Sequence, residues 1–290
     1  MKMNAWVLFI VLAAATACLP SPTSAALVFS DDFNRSDSST LGNNWVETST
    51  GGGNAKIANN QLQIDNGTPA GRTYVSQDTR NFGSGYTPQL NQNAGTITWT
   101  FNMRANRNTL SGFTGGDYGI AFVLGTSSSD FLAGTGYAIV WGQSGTDPLR
   151  LVRYTAGLTT GSTISSVITG SGSPFGDMGM EFLSLKVTYN PANNGWELLA
   201  RNDSSSFADP SAGSFTSMGT ATDSTYVNTS LNYMGALWDY NTAAGQSAFY
   251  DNLTITAVPE PTHLALGFFG LGLLAVSGTR AWLRARRSAR

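Results

Sequence analysis

The sequence predicts an all-β fold, a two-sheet antiparallel sandwich, on three observations. Between Leu27 and Thr256, short runs rich in β-branched and aromatic residues alternate apolar and polar side chains with a period of two. Clusters of Gly, Asn, Asp and Ser divide these runs. No stretch of this body carries a helical apolar period long enough for a stable helix. About a dozen strands at such spacing need two stacked layers to bury their apolar faces.

In chain order, strands are expected near 27–33, 55–64, 72–77, 96–103, 118–124, 136–142, 149–155, 163–168, 183–189, 195–201, 231–238 and 247–256. The alternation is clearest where Ile97, Trp99, Phe101 and Met103 interleave with Thr96, Thr98, Thr100 and Asn102. It recurs where Leu183, Leu185, Val187 and Tyr189 interleave with Ser184, Lys186 and Thr188. A turn through Asn190–Gly195 would set Tyr189 opposite Trp196, Val187 opposite Leu198 and Leu185 opposite Ala200, an apolar face throughout. On the other face Thr188 would oppose Glu197, with Lys186 diagonal to that Glu as its solvated ion-pair partner.

A chain of 290 residues accommodates one large sandwich or two small domains. Hydrophobic residues make up 41% and charged residues only 12%, which argues against charge-driven disorder. The net charge of −2 conceals segregation: all 18 acidic residues lie between Asp31 and Glu260, while Arg280, Arg284, Arg286, Arg287 and Arg290 crowd the end. An acidic body without a basic stripe excludes nucleic acid as a partner. The single Cys18 and single His263 both fall in the terminal segments. The body therefore holds no disulfide, thiolate nucleophile, Ser-His-Asp triad or His/Cys zinc site.

The two ends read as addresses. Lys2, the apolar run Ala5–Ala15 and the small residues before Leu27 read as a secretory signal peptide over 1–26, served by the Sec export machinery. The competing reading is a lipoprotein signal acylated at Cys18. At the other end Pro259, Glu260 and Pro261 precede an uncharged run, Leu264–Val276, and then the arginines. Thirteen helical residues rise about 20 Å, short of the ~30 Å hydrocarbon core, and Ala281–Leu283 would extend the apolar helix to about 264–283 with arginines snorkelling. Arg284, Arg286 and Arg287 would stay cytoplasmic, leaving the body outside.

Residues 258–290, with Val258-Pro259-Glu260-Pro261, the Gly/Leu-rich run and the Arg cluster, resemble the PEP-CTERM sorting signal of bacterial surface proteins. The resemblance implies retention in the membrane, processing near Pro-Glu-Pro by an exosortase, a cell-surface or extracellular-matrix location, and association with exopolysaccharide. Three further stretches, Phe29–Trp45, VTYNPANNGWELLA and Phe249–Ile255, resemble the concanavalin A-like lectin/glucanase jelly roll, whose first and last strands pair. That superfamily holds sugar binders, glycosidases and adhesive modules, so 27–257 is expected to be one jelly-roll body whose function the fold does not choose.

Glycoside hydrolysis needs only two carboxyl groups. The glutamates available are Glu47, Glu181 and Glu197, and the Glu-x-Asp-x-(x)-Glu strand pattern of the superfamily's glucanases is absent. A non-catalytic module is therefore the primary reading, with a glycosidase or a purely structural coat protein as alternatives. Candidate carbohydrate contacts are Asp117, Trp141, Trp238 and Asp239, aromatic and polar groups at strand ends, each also readable as core packing. Asp31 shares a strand face with Phe29 and Phe33, and Asp251 is expected to share one with Phe249, Leu253 and Ile255. Paired terminal strands would bring the two carboxylates together, where a structural Ca²⁺ would neutralise them; arginine or backbone N–H groups are the alternative.

Overall fold

Fifteen strands and their pairings define the architecture of residues Ala26–Ala257 in the computed structural model, which describes residues 25–83, 85–113, 118–243 and 245–258. The signal-peptide, sorting-motif and apolar-helix readings lie outside the described residues, as does Asp117. Among the described residues no helix is long and apolar enough to cross a membrane.

The strands are β1 (Ala26–Asp31), β2 (Val46–Ser49), β3 (Asn54–Ala58), β4 (Gln61–Asp65), β5 (Gly71–Asp78), β6 (Ile97–Ala105), β7 (Gly119–Thr126), β8 (Gly136–Trp141), β9 (Leu149–Tyr154), β10 (Ile164–Thr169), β11 (Leu183–Asn190), β12 (Gly195–Asn202), β13 (Thr216–Thr222), β14 (Tyr233–Tyr240) and β15 (Ser247–Ala257). One sheet has eight strands in the order β13-β12-β11-β6-β15-β4-β3, with β1 also on β15; the other has seven, β10-β9-β8-β7-β14-β5-β2. Every pairing is antiparallel, and the first and last strands do pair, Ala26 opposite Ala257 through Asp31 opposite Leu253.

The expected hairpin register holds: Tyr189 faces Trp196, Val187 faces Leu198, Leu185 faces Ala200 and Thr188 faces Glu197. The inner residues are all buried, so a one-residue slip would carry them into water. The Lys186–Glu197 ion pair does not form; the ion pairs among the described residues use other partners. Two flexible side chains set diagonally on a solvated face gain too little to hold each other.

Three strand expectations change. Residues 55–64 are two strands, joined by Asn59 and Asn60, both at positive φ as a two-residue hairpin loop requires. β2 and β13 carry almost no apolar pattern, because β2 is exposed throughout and β13 buries only Met218. In β15 a bulge after Asp251, with Asn252 at φ 49°, reverses the parity of the strand. Tyr250 and Leu253 are buried on either side of it, so Asp251 does not share a face with Leu253 and Ile255 as strict alternation predicts.

Between the sheets lies one large core. Phe101 of β6 stacks on Phe122 of β7 with ring centres 4.1 Å apart, and Tyr137 of β8 meets Trp196 of β12 at 4.6 Å, each joining opposite sheets. Each such fully buried side chain is worth roughly 1.5–3 kcal/mol in apolar transfer. A second apolar cluster covers the outer face of the seven-stranded sheet: Phe131 and Leu158, from the loops after β7 and β9, cap Ala121, Val123, Val140 and Val152. β7 and β8 are consequently buried on both faces and read as continuous apolar runs. That outer face is closed to a ligand.

Candidate functional site

With one outer face sealed, the accessible polar concavities lie at the strand ends and on the eight-stranded sheet. One is a cleft of about 540 Å³ formed where the connections after β4, β6 and β14 converge. Its polar wall is Gln63, Asp65, Asn66, Asn106, Gln246 and Ser247, and Phe249 supplies a half-buried ring.

Period-two alternation places Asp65. Leu62 and Ile64 point into the core, so Gln61, Gln63 and Asp65 face outward, and Asp65 ends the strand directly opposite Ser247. Its Oδ1 accepts from Ser247 Oγ at 2.6 Å and from Gln63 Nε2, while its Oδ2 lies 2.6 Å from Lys56 Nζ. Burial alone would raise its pKa, but the donors Lys56, Ser247 and Gln63 outweigh that and hold it below the ordinary carboxylate range. The side chain is 21% exposed. An ionised carboxylate with one of its oxygens bearing a single partner, open to a cleft, is an acceptor for a ligand hydroxyl.

The neighbouring groups are fixed in advance. Trp238 Nε1 donates to Asn66 Oδ1 at 2.7 Å, and Asn66 Nδ2 donates to the Ala243 carbonyl at 2.6 Å. Arg107 Nη1 donates to Gln246 Oε1 at 3.0 Å, and its guanidinium lies 3.6 Å from the centre of the Tyr118 ring. Tyr118 in turn donates to Asn241 Oδ1. The floor is as tightly specified, since a Cβ on Gly67 would fall 1.7 Å from the backbone carbon of Gly52. Such an arrangement presents amide dipoles, a carboxylate and an aromatic face without reorganisation, which suits a hydroxyl-rich ligand.

Of the carbohydrate contacts expected from sequence, Trp141, Trp238 and Asp239 do not line this cleft. Trp141 and Trp238 are fully buried, with Ile120 between them in the register, so their rings are core and not platforms. Trp238 reaches the cleft only through the indole N–H that orients Asn66. Asp239 is buried and paired with Arg72 at 3.1 Å. The glutamates are dispersed: Glu47 accepts from the Ala55 N–H, Glu181 from the Gly179 N–H, and Glu197 lines a separate shallow cleft beside β12 and β13.

Protein donors satisfy Asp31, the first of the two carboxylates expected to share a Ca²⁺. Asp31 is 3% exposed and accepts from Arg35 Nη1 at 2.7 Å, Arg35 Nη2 at 3.2 Å, Trp45 Nε1 at 2.8 Å, Asn43 Nδ2 at 3.1 Å and the Phe33 N–H at 2.8 Å. Donors reach both carboxylate oxygens of Asp31, and the bulge sets Asp251 opposite Asn102 while Asp31 opposes Leu253. Among the described residues no group of three or more His, Cys, Asp or Glu could hold a metal ion. The alternative of arginine and backbone N–H satisfaction is what the structure builds at Asp31.

Asp65, Asn66, Asn106 and Gln246 carry no sequence signal as ligand contacts, and Phe249 is legible there only as a strand residue beside Asp251. The turns NGTPAG and NTAAGQ mark the loops that carry several of them, but only the strand order brings those loops together.

No family profile matches the chain, and no curated protein matches it by sequence. Among solved structures it resembles a Lotus tetragonolobus seed lectin, with a TM-score of 0.51 at 8% identity over 81% of this chain and 100% of that one. It resembles lectin II from Ulex europaeus with a TM-score of 0.50 at 12% identity, over 80% of this chain and 99% of that one. The lectin UEA-II complexed with galactose gives a TM-score of 0.50 at 13% identity, again over 80% and 99%. At such identities the likeness establishes architecture alone: the body has a lectin-like fold of two antiparallel sheets.

Proposed function

We propose that this chain is an exported, non-catalytic cell-surface or extracellular-matrix protein whose sandwich binds polysaccharide in the cleft at Asp65. The observation that carries the reading is the composition of that cleft: an ionised carboxylate with acceptor capacity to spare, side-chain amides held by second partners, and the flank of Phe249. Sugars offer hydroxyls that both donate and accept, together with apolar ring faces, and this wall matches both. The lectin-like architecture supports the reading as analogy of fold. Among the described residues Asp65 is the one carboxylate lining the cleft, and two suitably spaced carboxyl groups are needed for glycoside hydrolysis, so a binding role fits better than a glycosidase.

The test is a glycan array on the full chain, followed by titration of the best hit. Asp65→Ala is expected to weaken binding at least tenfold, the loss of about one charge-assisted hydrogen bond of 1.5–3 kcal/mol. An array without hits, or unchanged affinity in the variant, would leave the structural coat protein as the better reading.

Export rests on the two ends. In this reading the signal peptide directs Sec-dependent secretion, the apolar run 264–283 halts in the membrane with Arg284, Arg286 and Arg287 inside, and an exosortase acts near Pro259-Glu260-Pro261. Mass spectrometry of cell and medium fractions is expected to find a mature chain beginning near Leu27 and lacking the arginine tail. Recovery of the intact chain from cytosol would contradict it.

A further inference from the structure

Among the cations of the sandwich, Arg104, Arg107, Arg150 and Lys186 have no carboxylate partner among the described residues. Arg35, Lys56, Arg72, Arg80, Arg153 and Arg201 each meet a carboxylate. Arg150 is buried and gives its Nη2 to the carbonyls of Gly112 and Gly142. Arg104 lies on the outer face of β6, and no carboxylate among the described residues pairs with it.

Its side chain is nevertheless pinned. Nε donates to the Met180 carbonyl at 3.1 Å, and the guanidinium carbon lies 4.3 Å from the centre of the Phe182 ring and 5.6 Å from that of Phe249. Its Nη1 and Nη2 make no hydrogen bond among the described residues. The register runs Gln63, Phe249, Arg104 straight across three strands, so Arg104 stands one strand beyond Phe249, beside the cleft whose lining includes Gln63, Phe249 and Asn106. A half-buried guanidinium, held beside two rings and by one carbonyl with its terminal nitrogens free, can make bidentate contact with a carboxylate.

We propose that the ligand of the cleft is an acidic polysaccharide built from uronic acid units, with Arg104 reading the sugar carboxylate. This deepens, and rests on, the reading of the cleft as a glycan site. Asp65 is two strands away, about 10 Å across the sheet. A ligand meeting both spans more than one sugar ring, with a hydroxyl at Asp65 and its carboxylate at Arg104, since like charge forbids the reverse. The sandwich is acidic as a whole, so its long-range field repels a polyanion and the preference must come from local contact.

The experiment titrates the full chain, at near-physiological salt, with oligogalacturonate and oligomannuronate, each against its carboxyl-reduced neutral counterpart, and with sulfated dextran. At least one uronate is expected to bind tenfold or more tightly than its neutral counterpart. Arg104→Gln should bring that ratio close to one, and Arg104→Lys should recover only a minor part of it, because an ammonium cannot offer the paired donors. Equal binding of uronate and neutral oligomers, or a preference that survives Arg104→Gln, overturns the assignment while leaving the glycan cleft standing. Sulfated dextran bound equally by wild type and Arg104→Lys, with the uronate preference also intact in that variant, overturns it in favour of diffuse charge. Failure of every oligomer, acidic and neutral, removes the glycan cleft and this inference together.

Discussion

Replacing Asp31 by alanine is expected to destabilise the sandwich by about 3–5 kcal/mol, because the change strands a partly buried arginine and three further donors at once. The carboxylate gathers Arg35, Trp45, Asn43 and the Phe33 N–H where the chain leaves β1 and turns toward β2. Around it Phe33 packs against Trp45 with ring centres 5.8 Å apart. Burial alone would raise the pKa of Asp31, yet these donors together hold it below its ordinary 3.8. A depressed native pKa means that the group stabilises the fold above its unfolded pKa. That contribution is lost as pH falls through the native value. Urea unfolding at pH 7 checks the magnitude, and the gap between wild type and Asp31→Ala should narrow in acid below about pH 4. A loss under 1 kcal/mol at pH 7 would mean that water replaces the carboxylate at little cost, contrary to the burial seen.

Asp251→Asn is expected to act in the opposite direction and to stabilise the protein at alkaline pH. Burial pushes the Asp251 carboxyl up to about 7; the Asn252 N–H opposes this, and the charges of Asp32 and Asp31 add to it. The native state therefore holds its proton more tightly than the unfolded chain, so stability is full below about pH 4 and declines until the group ionises near pH 7. The whole shift would amount to ~4 kcal/mol, which partial exposure reduces to about 1–2 kcal/mol. Asparagine preserves the shape and cannot ionise. Thermal unfolding should show a higher midpoint for Asp251→Asn at pH 8 and no difference at pH 4. Parallel pH profiles for the two proteins would show that Asp251 ionises freely in the fold.

These two aspartates also show what the sequence carries and what it does not. Strict alternation was enough to find most strands, the hairpin register and the buried face of Ile97, Trp99, Phe101 and Met103, because burial on one face imposes that period. It failed where a strand buries little, as in β2 and β13, and where one extra residue reverses parity, as at Asn252. A bulge stabilised by tertiary pairing leaves no periodic trace before it occurs. The same limit hid the cleft. Asp65, Asn106 and Gln246 are far apart in the chain and become one wall only because β15 lies between β4 and β6. The aromatic residues that looked best suited to sugars, Trp141 and Trp238, are those the core claims first, since large apolar area on an inward position outweighs any surface role.

A crystal structure of the protein with a bound oligosaccharide, chosen from the array, decides whether the cleft at Asp65 holds sugar. Ligand density is expected between the loops after β4, β6 and β14, with a sugar hydroxyl within hydrogen-bonding distance of Asp65 Oδ2 and a ring face near Phe249. Density over another surface of the sandwich, with this cleft filled only by water at saturating ligand, would contradict it.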